Sequence, residues 1–334
     1  MKAVFLTNTN EPLIIKEVPK PIPGEHEVLV KLQYSSLNHR DVWILKGQYS
    51  GAKSGLILGS DGYGIVEEVG QNADQLLIGK GVIINPSHNW GNNPAAASKD
   101  FKILGNPDPG TFSEYIVADQ KYVHLKPNHL TEVEAAALPL AGITTFRAVF
   151  TRAKVEAGEK VLVTGIGAGT ALLALQFAKA AGADVYVTSG SDEKIEKAMK
   201  LGAIGGYNYK DAEWYKKAKK DVGGFDVILD SASGSGFGNL IQLANPGARL
   251  TFWGGTDGAI GNIVPAHIFW KNVSILGTTM GSEEDFKGML ACIEGHNIKP
   301  IVAKIYPSMD KIQDAFSYLE AGKQFGKIVI ANTF

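Results

Sequence analysis

Apolar positions change their period along the chain, and the changes divide it into three stretches. Up to residue 126 they come in short alternating or β-branched runs separated by turns rich in Gly, Pro and Asn. This predicts strands at 2–6, 13–18, 27–34, 62–69, 81–85, 112–118 and 122–125, with one helix at 39–46. Short strands at regular spacing suggest a barrel-like, partly open β-rich domain. Thr131 then opens a helix as its N-cap, with Glu134 three residues on completing a capping box, and the apolar segment 135–150 reads as a buried helix. Beyond it strands alternate with helices, at 161–164, 184–188, 206–209, 225–230, 248–253 and 273–279, the pattern of a doubly wound parallel sheet. A helix at 283–294, a strand at 301–305, a helix at 311–320 and a closing strand at 327–330 read as a return to the first domain. The expected division is therefore 1–126, 127–280 and 281–334.

The stretch 160–190 carries the clearest chemistry. Its β-branched run at 161–164 is followed at once by Gly165, Gly167 and Gly169. A helix with apolar positions at Ala171, Leu172 and Leu175 comes next, then an Ala-Gly-Ala stop at 181–183 and the next strand. Strand, glycine turn, helix and strand form the unit that binds a dinucleotide, because bare backbone approaches the pyrophosphate at a helix N-terminus. Thr170 stands where the third glycine of G-x-G-x-x-G would be, and Ala171 is the nearest small residue. The second strand ends Thr188-Ser189-Gly190-Ser191, without the carboxylate that takes the ribose hydroxyls in NAD-binding units. Asp192 comes one position late and reads, with Ser191, as a helix cap. Lys194 in the first turn of that helix can reach a 2′-phosphate, and Ser189 and Ser191 can donate to it, which favours NADPH.

Composition narrows the class. At 334 residues the chain suits two domains, and a formal net charge of −1 with no dense basic block leaves no electrostatic footprint for nucleic acid or a membrane. The single Cys292 excludes an internal disulfide and any cysteine-rich metal site. No apolar run has the length of a signal peptide or a membrane span, so a cytoplasmic protein is expected.

The motifs "SSLNHRDVWILKG" (35–47), "LGSDGYGIVEEVG" (58–70), "GTFSEYIVA" (110–118), "LPLAGITTFRAV" (138–149), "VLVTGIGAGTALLALQFAKAAGA" (161–183), "GSDEKIEKAMKLGA" (190–203) and "FGKIVI" (325–330) follow one another over nearly the whole length. In their order and spacing the chain resembles the medium-chain dehydrogenase/reductase superfamily, in its zinc-free quinone oxidoreductase-like branch. The resemblance implies a GroES-like catalytic domain at both chain ends around a Rossmann domain, with the active site in the cleft between them. It also implies a homodimer joined through the strand at 273–279. Zinc alcohol dehydrogenases of the superfamily place a Cys where this chain has Asn38, and Gly-His-Glu where it has Gly59-Ser60-Asp61. Their four-cysteine structural lobe corresponds to 88–105, which has no cysteine, and His39 and His88 are lone histidines. No zinc is expected.

By the same resemblance Gly165, Gly167, Ala168, Gly169 and Thr170 cradle the pyrophosphate, and Ser189, Gly190, Ser191, Lys194 and Tyr209 surround the 2′-phosphate. Ser231, Phe252 and Gly254 fall at strand ends facing the crevice, while Asn38, Thr144 and Lys327 match positions near the nicotinamide. Asn38 could polarise a substrate oxygen and Tyr49 could donate a proton; Asp41 and Asp61 read as structural. Without a metal to stabilise an alkoxide, reduction of a quinone or conjugated C=C bond is the easier chemistry, since the substrate's own carbonyl delocalises the charge. The expectation is an NADPH-dependent reductase of a small electron-poor substrate. A zinc-independent alcohol or aldehyde oxidoreductase and a non-catalytic NADPH-binding sensor are the alternatives.

Overall fold

The computed structural model describes residues 1–51, 53–261 and 263–334. The apolar runs of the first stretch form β1 (Lys2–Leu6), β2 (Ile14–Glu17), β3 (Glu27–Ser36), β4 (Leu56–Ile57), β5 (Asp61–Val69), β6 (Gly81–Ile84), β7 (Ser87–His88), β8 (Lys102–Ile103), β9 (Tyr115–Asp119) and β10 (Val123–Leu125). Helix α1 (His39–Leu45) follows β3. The strands β4, β7 and β8 have two residues each, too few to show an alternation in sequence. The strand expected at 112–118 begins only at Tyr115, because Gly110 and Phe112 donate their N–H groups to Ile57 and Leu58 in a looped crossing before it.

Thr131 caps α2 (Glu132–Ala136) as expected: its backbone N–H donates to Glu134 Oε2 at 2.7 Å while Glu134 N donates back to Thr131 Oγ1 at 3.2 Å. The single helix expected at 135–150 is broken. Pro139 has no N–H and disfavours helical backbone in the residue before it, so α3 (Pro139–Phe146) starts afresh and then widens into π-helical turns over Arg147–Arg152.

The alternating region gives β11 (Lys160–Val163), α4 (Gly169–Ala180), β12 (Asp184–Ser189), α5 (Asp192–Lys200), β13 (Gly205–Asn208), α6 (Trp214–Val222), β14 (Phe225–Asp230), α7 (Phe237–Leu243), β15 (Ala244–Phe252), α8 (Pro265–Phe269) and β16 (Ser274–Gly277). All six strands are parallel in the order β13-β12-β11-β14-β15-β16, so the order reverses between β11 and β14. Val161, Leu162, Val163, Val227, Ile228 and Leu229 are fully buried, as strands covered on both faces require. The basic run at Lys216 lies on α6, whose Trp214 and Ala218 turn inward, so it is the solvated face of an amphipathic helix.

The chain then forms α9 (Glu283–Gly295), β17 (Val302–Tyr306), α10 (Ile312–Glu320) and β18 (Lys327–Ala331). β18 pairs antiparallel with β3, Val329 opposite Ser36, within a sheet ordered β10-β6-β5-β3-β18-β17 that also carries β9 on β3. Asn332 clamps this return: its amide donates to Thr111 O and Ser113 O, both at 2.7 Å, and accepts from Ser35 Oγ at 2.9 Å. These are the GroES-like and Rossmann folds expected from the sequence.

Contacts divide the chain into Met1–Ala141 with Gly281–Phe334, and Gly142–Met280. The first boundary lies later than the 126/127 expected, because Tyr63 OH reaches Glu132 at 3.4 Å and Leu140 N donates to Asp61 Oδ1 at 2.7 Å. Both contacts tie α2 and the start of α3 to the β-rich unit. Among the described residues no helix is long and apolar enough to cross a membrane.

Candidate functional site

In the parallel-sheet unit the glycine turn lies where the strand order reverses. Gly165 at φ +64° and Gly167 at φ +126° occupy the left-handed region, where a side chain is strained. The end of β12 pins the turn: Ile166 N donates to Thr188 O at 2.7 Å and Gly165 N to Thr188 Oγ1 at 3.3 Å. A bond from Thr164 Oγ1 to Asp230 Oδ1 joins the ends of β11 and β14, and Ser233 N donates to Asp230 Oδ2 at 2.7 Å. Burial pushes the Asp230 carboxyl above its ordinary range, and these hydrogen bonds oppose the push.

Ala168 is the N-cap of α4 and has no side chain with which to cap it. The first N–H groups of the helix are therefore left to an anion, at the positive end of the helix dipole. Thr170 is half-buried, so a side chain fits at the third glycine position, and the close packing on the sheet is made by the fully buried Ala171. Thr170 O accepts from Thr145 Oγ1 at 3.3 Å.

At the end of β12 the expected phosphate group of residues is brought together, with roles that differ from one to the next. Ser189 is buried, and its hydroxyl donates to Ile166 O and accepts from Ser191 N, both at 3.3 Å. Its one proton is thus used inside the turn and not left for a phosphate. Ser191 caps α5, accepting from Lys194 N at 3.4 Å, and retains its own O–H. Asp192 accepts from Asn208 Nδ2 at 2.9 Å. Lys194 is half-buried; burial, then the neighbouring Lys197 charge, holds its ammonium below the usual lysine value. The half-exposed Tyr209 lies across Gly190, where an added Cβ would meet its hydroxyl at 2.9 Å.

Ser231 and Gly254 meet at the ends of β14 and β15, where a Cβ on Gly254 would come within 2.2 Å of Ser231 O. Phe252 sets its ring edge-on to the buried Phe237, with centroids 5.6 Å apart, so it faces the core at least as much as the crevice. Thr144 is buried, with Oγ1 3.7 Å from Met280 Sδ.

In the β-rich unit the pairing of β18 with β3 carries Lys327 to the start of α1. Its Nζ lies 2.8 Å from Leu37 O, 2.6 Å from Asn38 Oδ1 and 2.9 Å from Asp61 Oδ2. Three acceptors take all three ammonium hydrogens, so the cofactor contact expected of Lys327 finds no donor to make it with. Asp61 Oδ2 also accepts from Asn38 Nδ2 at 2.9 Å and Ser36 Oγ at 2.8 Å. Beside this group Arg40 donates to Ser60 Oγ at 2.6 Å and Leu104 O at 2.9 Å, and its guanidinium lies 5.1 Å from the centre of the Tyr49 ring. Tyr49 thus packs its ring against Arg40 and the apolar core of the β-rich unit. Asp61 and Asp41 are structural, as expected from the sequence; the buried role of Arg40 was missed, because "HRD" gives no sign that its arginine turns inward.

Asn38 and Ser60, the two positions at which the zinc enzymes carry Cys and His, are thus each held by a cation of the chain itself. A metal ion would have to displace both. His39 is exposed, His88 is stacked on Tyr122 with centroids 4.1 Å apart, and among the described residues no three His, Cys, Asp or Glu gather to hold a metal.

Residues 24–128 match the family described as alcohol dehydrogenase GroES-like domain, and residues 169–295 the family described as zinc-binding dehydrogenase. The zinc-type alcohol dehydrogenase-like protein YogA of Leptosphaeria maculans is 36% identical over 96% of this chain and 94% of its own length. The quinone oxidoreductase of Homo sapiens is 28% identical over 99% and 97%. The crystal structure of an NAD-dependent alcohol dehydrogenase superposes with a TM-score of 0.93 at 33% identity, covering 99% of each chain.

Asp41 supplies a pH test of this region. Its carboxylate accepts from Asn38 N at 2.8 Å, yet burial pushes its pKa up to about 6, with the Arg40 charge acting against the rise. The folded value lies above the unfolded 3.8, so the folded state holds the extra proton. The associated stability is present at low pH and lost as pH rises through about 6. Measured by urea unfolding, wild type should lose about 2 kcal/mol relative to Asp41→Asn between about pH 4 and pH 7. Parallel curves for the two proteins would contradict the assignment.

Proposed function

Since the chain belongs to the medium-chain dehydrogenase/reductase superfamily, we propose that it is an NADPH-dependent, zinc-free reductase acting on a quinone or on a C=C bond conjugated to a carbonyl. The observation that carries this reading is that Asn38 and Ser60, where the zinc enzymes carry Cys and His, are held by cations of the chain, with Lys327 Nζ 2.6 Å from Asn38 Oδ1 and Arg40 Nη1 2.6 Å from Ser60 Oγ. The cofactor supplies hydride when bound. Gly165, Gly167 and Ala168 shape the turn, and the backbone N–H groups of Gly169 and Thr170 at the start of α4 hold its pyrophosphate. Ser191, Lys194 and Tyr209 take the 2′-phosphate, at a strand end whose nearest carboxylate, Asp192, is engaged by Asn208. Asn38 meets the substrate oxygen on which charge develops as hydride reaches the conjugated carbon, and solvent returns the proton.

Oxidation of NADPH and NADH should be followed with a quinone, an enone and a simple ketone, using wild type and Lys194→Glu. The expected result is turnover of quinone and enone but not ketone, and a fall of about tenfold or more in the NADPH-to-NADH preference of Lys194→Glu. Turnover of the ketone alone would favour an alcohol or aldehyde oxidoreductase. Binding of NADPH without turnover of any acceptor would favour a sensor.

The same reading includes a homodimer through β16. That strand is the edge of its sheet, and Val264, Phe269 and Trp270, just before it in the chain, are at least half exposed. Sedimentation velocity should give a dimer for wild type and a monomer for Trp270→Glu; a monomeric wild type would remove the proposal.

A further inference from the structure

Lys327 and Asn38 lie 289 residues apart in sequence, and their contact fixes more than the position of the amide. An ammonium only donates, so the Asn38 atom beside Nζ is Oδ1; a carboxylate only accepts, so the atom beside Asp61 Oδ2 is Nδ2. The amide has a single permitted orientation. One Nδ2 hydrogen goes to Asp61, and among the described residues nothing accepts the other. Asn38 is 7% exposed, so this remaining N–H is the one polar hydrogen of its side chain left for a ligand.

We propose that Lys327 is a positioning residue that makes Asn38 a one-donor oxyanion site selective for carbonyl-conjugated acceptors. The inference rests on the reductase reading above and names the group that replaces the metal's charge. The ammonium on Oδ1 draws electron density through the amide and strengthens the free N–H as a donor, while Asp61 keeps the amide from rotating. In the reaction the hydride forms a new C–H bond at the carbon β to the carbonyl. The C=C π pair shifts to make an enolate with its charge on oxygen, and a proton from water then adds at the α carbon. The substrate gains two electrons and two hydrogens, and NADPH loses the hydride. The Asn38 N–H meets the oxygen at the enolate stage, so its strength governs the barrier most where the acceptor stabilises charge least. An enone should depend on Lys327 more than a quinone does.

The test measures kcat and KM for one enone and one quinone, and Kd for NADPH, in wild type and Lys327→Met. Lys327→Met should lower kcat with the enone about tenfold or more and with the quinone about threefold at most, with NADPH affinity changed less than about twofold. Equal losses on both acceptors, or a loss confined to cofactor affinity, would overturn the inference while leaving the reductase reading intact. A wild type that reduces neither acceptor would overturn both. Lys327→Met leaves Asp61 buried and unpaired; if it does not fold, Lys327→Met/Asp61→Asn removes both charges and is held to the same enone-to-quinone ratio.

Discussion

A lysine ammonium 5% exposed beside a fully buried carboxylate is costly to desolvate, by several kcal/mol per ion, and persists only where geometry offsets the cost. Here it does: Asp61 receives Ser36 Oγ, Asn38 Nδ2 and Lys327 Nζ on one oxygen and Leu140 N on the other. Three segments distant in sequence meet on that carboxylate: the junction of β3 and α1, the head of α3 and the first residue of β18. The β-rich unit is therefore closed by its own C-terminus. Asn332, bonded to Thr111, Ser113 and Ser35, holds β18 in the register that delivers Lys327.

The same contacts shape the chemistry. Asn38 and Ser60, held by Lys327 and Arg40, stand where zinc enzymes of this superfamily place Cys and His. On the proposed function, what remains is a fixed positive charge acting through an amide, weaker than a Lewis acid and suited to acceptors that carry their own electron sink. The parallel-sheet unit is built on the opposite principle, since the start of α4 is left uncapped and its anion must come from outside. Thr164, Thr188, Ser189 and Asp230 use their polar groups to hold that turn in shape.

Both folds were legible in the sequence because period-2 and period-3.6 patterns are strong over long elements and the glycine turn sits where a strand becomes a helix. The failures have local causes. Pro139 divides a helix that hydrophobicity alone runs through, and the two-residue strands leave no pattern. Gly165 and Gly167 stand at positive φ in the strand-to-helix turn that the sequence pattern located. Ser189 was legible as a polar residue at the right place but not as one whose proton is already donated to Ile166. Lys327 was read as a cofactor contact because nothing in "FGKIVI" reveals that β18 turns its lysine against Asp61, 266 residues earlier. Long-range pairing of buried charges is the part of a site that a linear pattern does not encode.

The central claim is that cations of the chain itself occupy the donors a catalytic metal would use. It is tested most directly by measuring the zinc content of enzyme expressed in zinc-supplemented medium, together with its NADPH-dependent enone reduction before and after EDTA. The account predicts zinc far below one ion per chain and a rate that EDTA leaves unchanged. One zinc per chain with activity lost to EDTA and restored by zinc would contradict it.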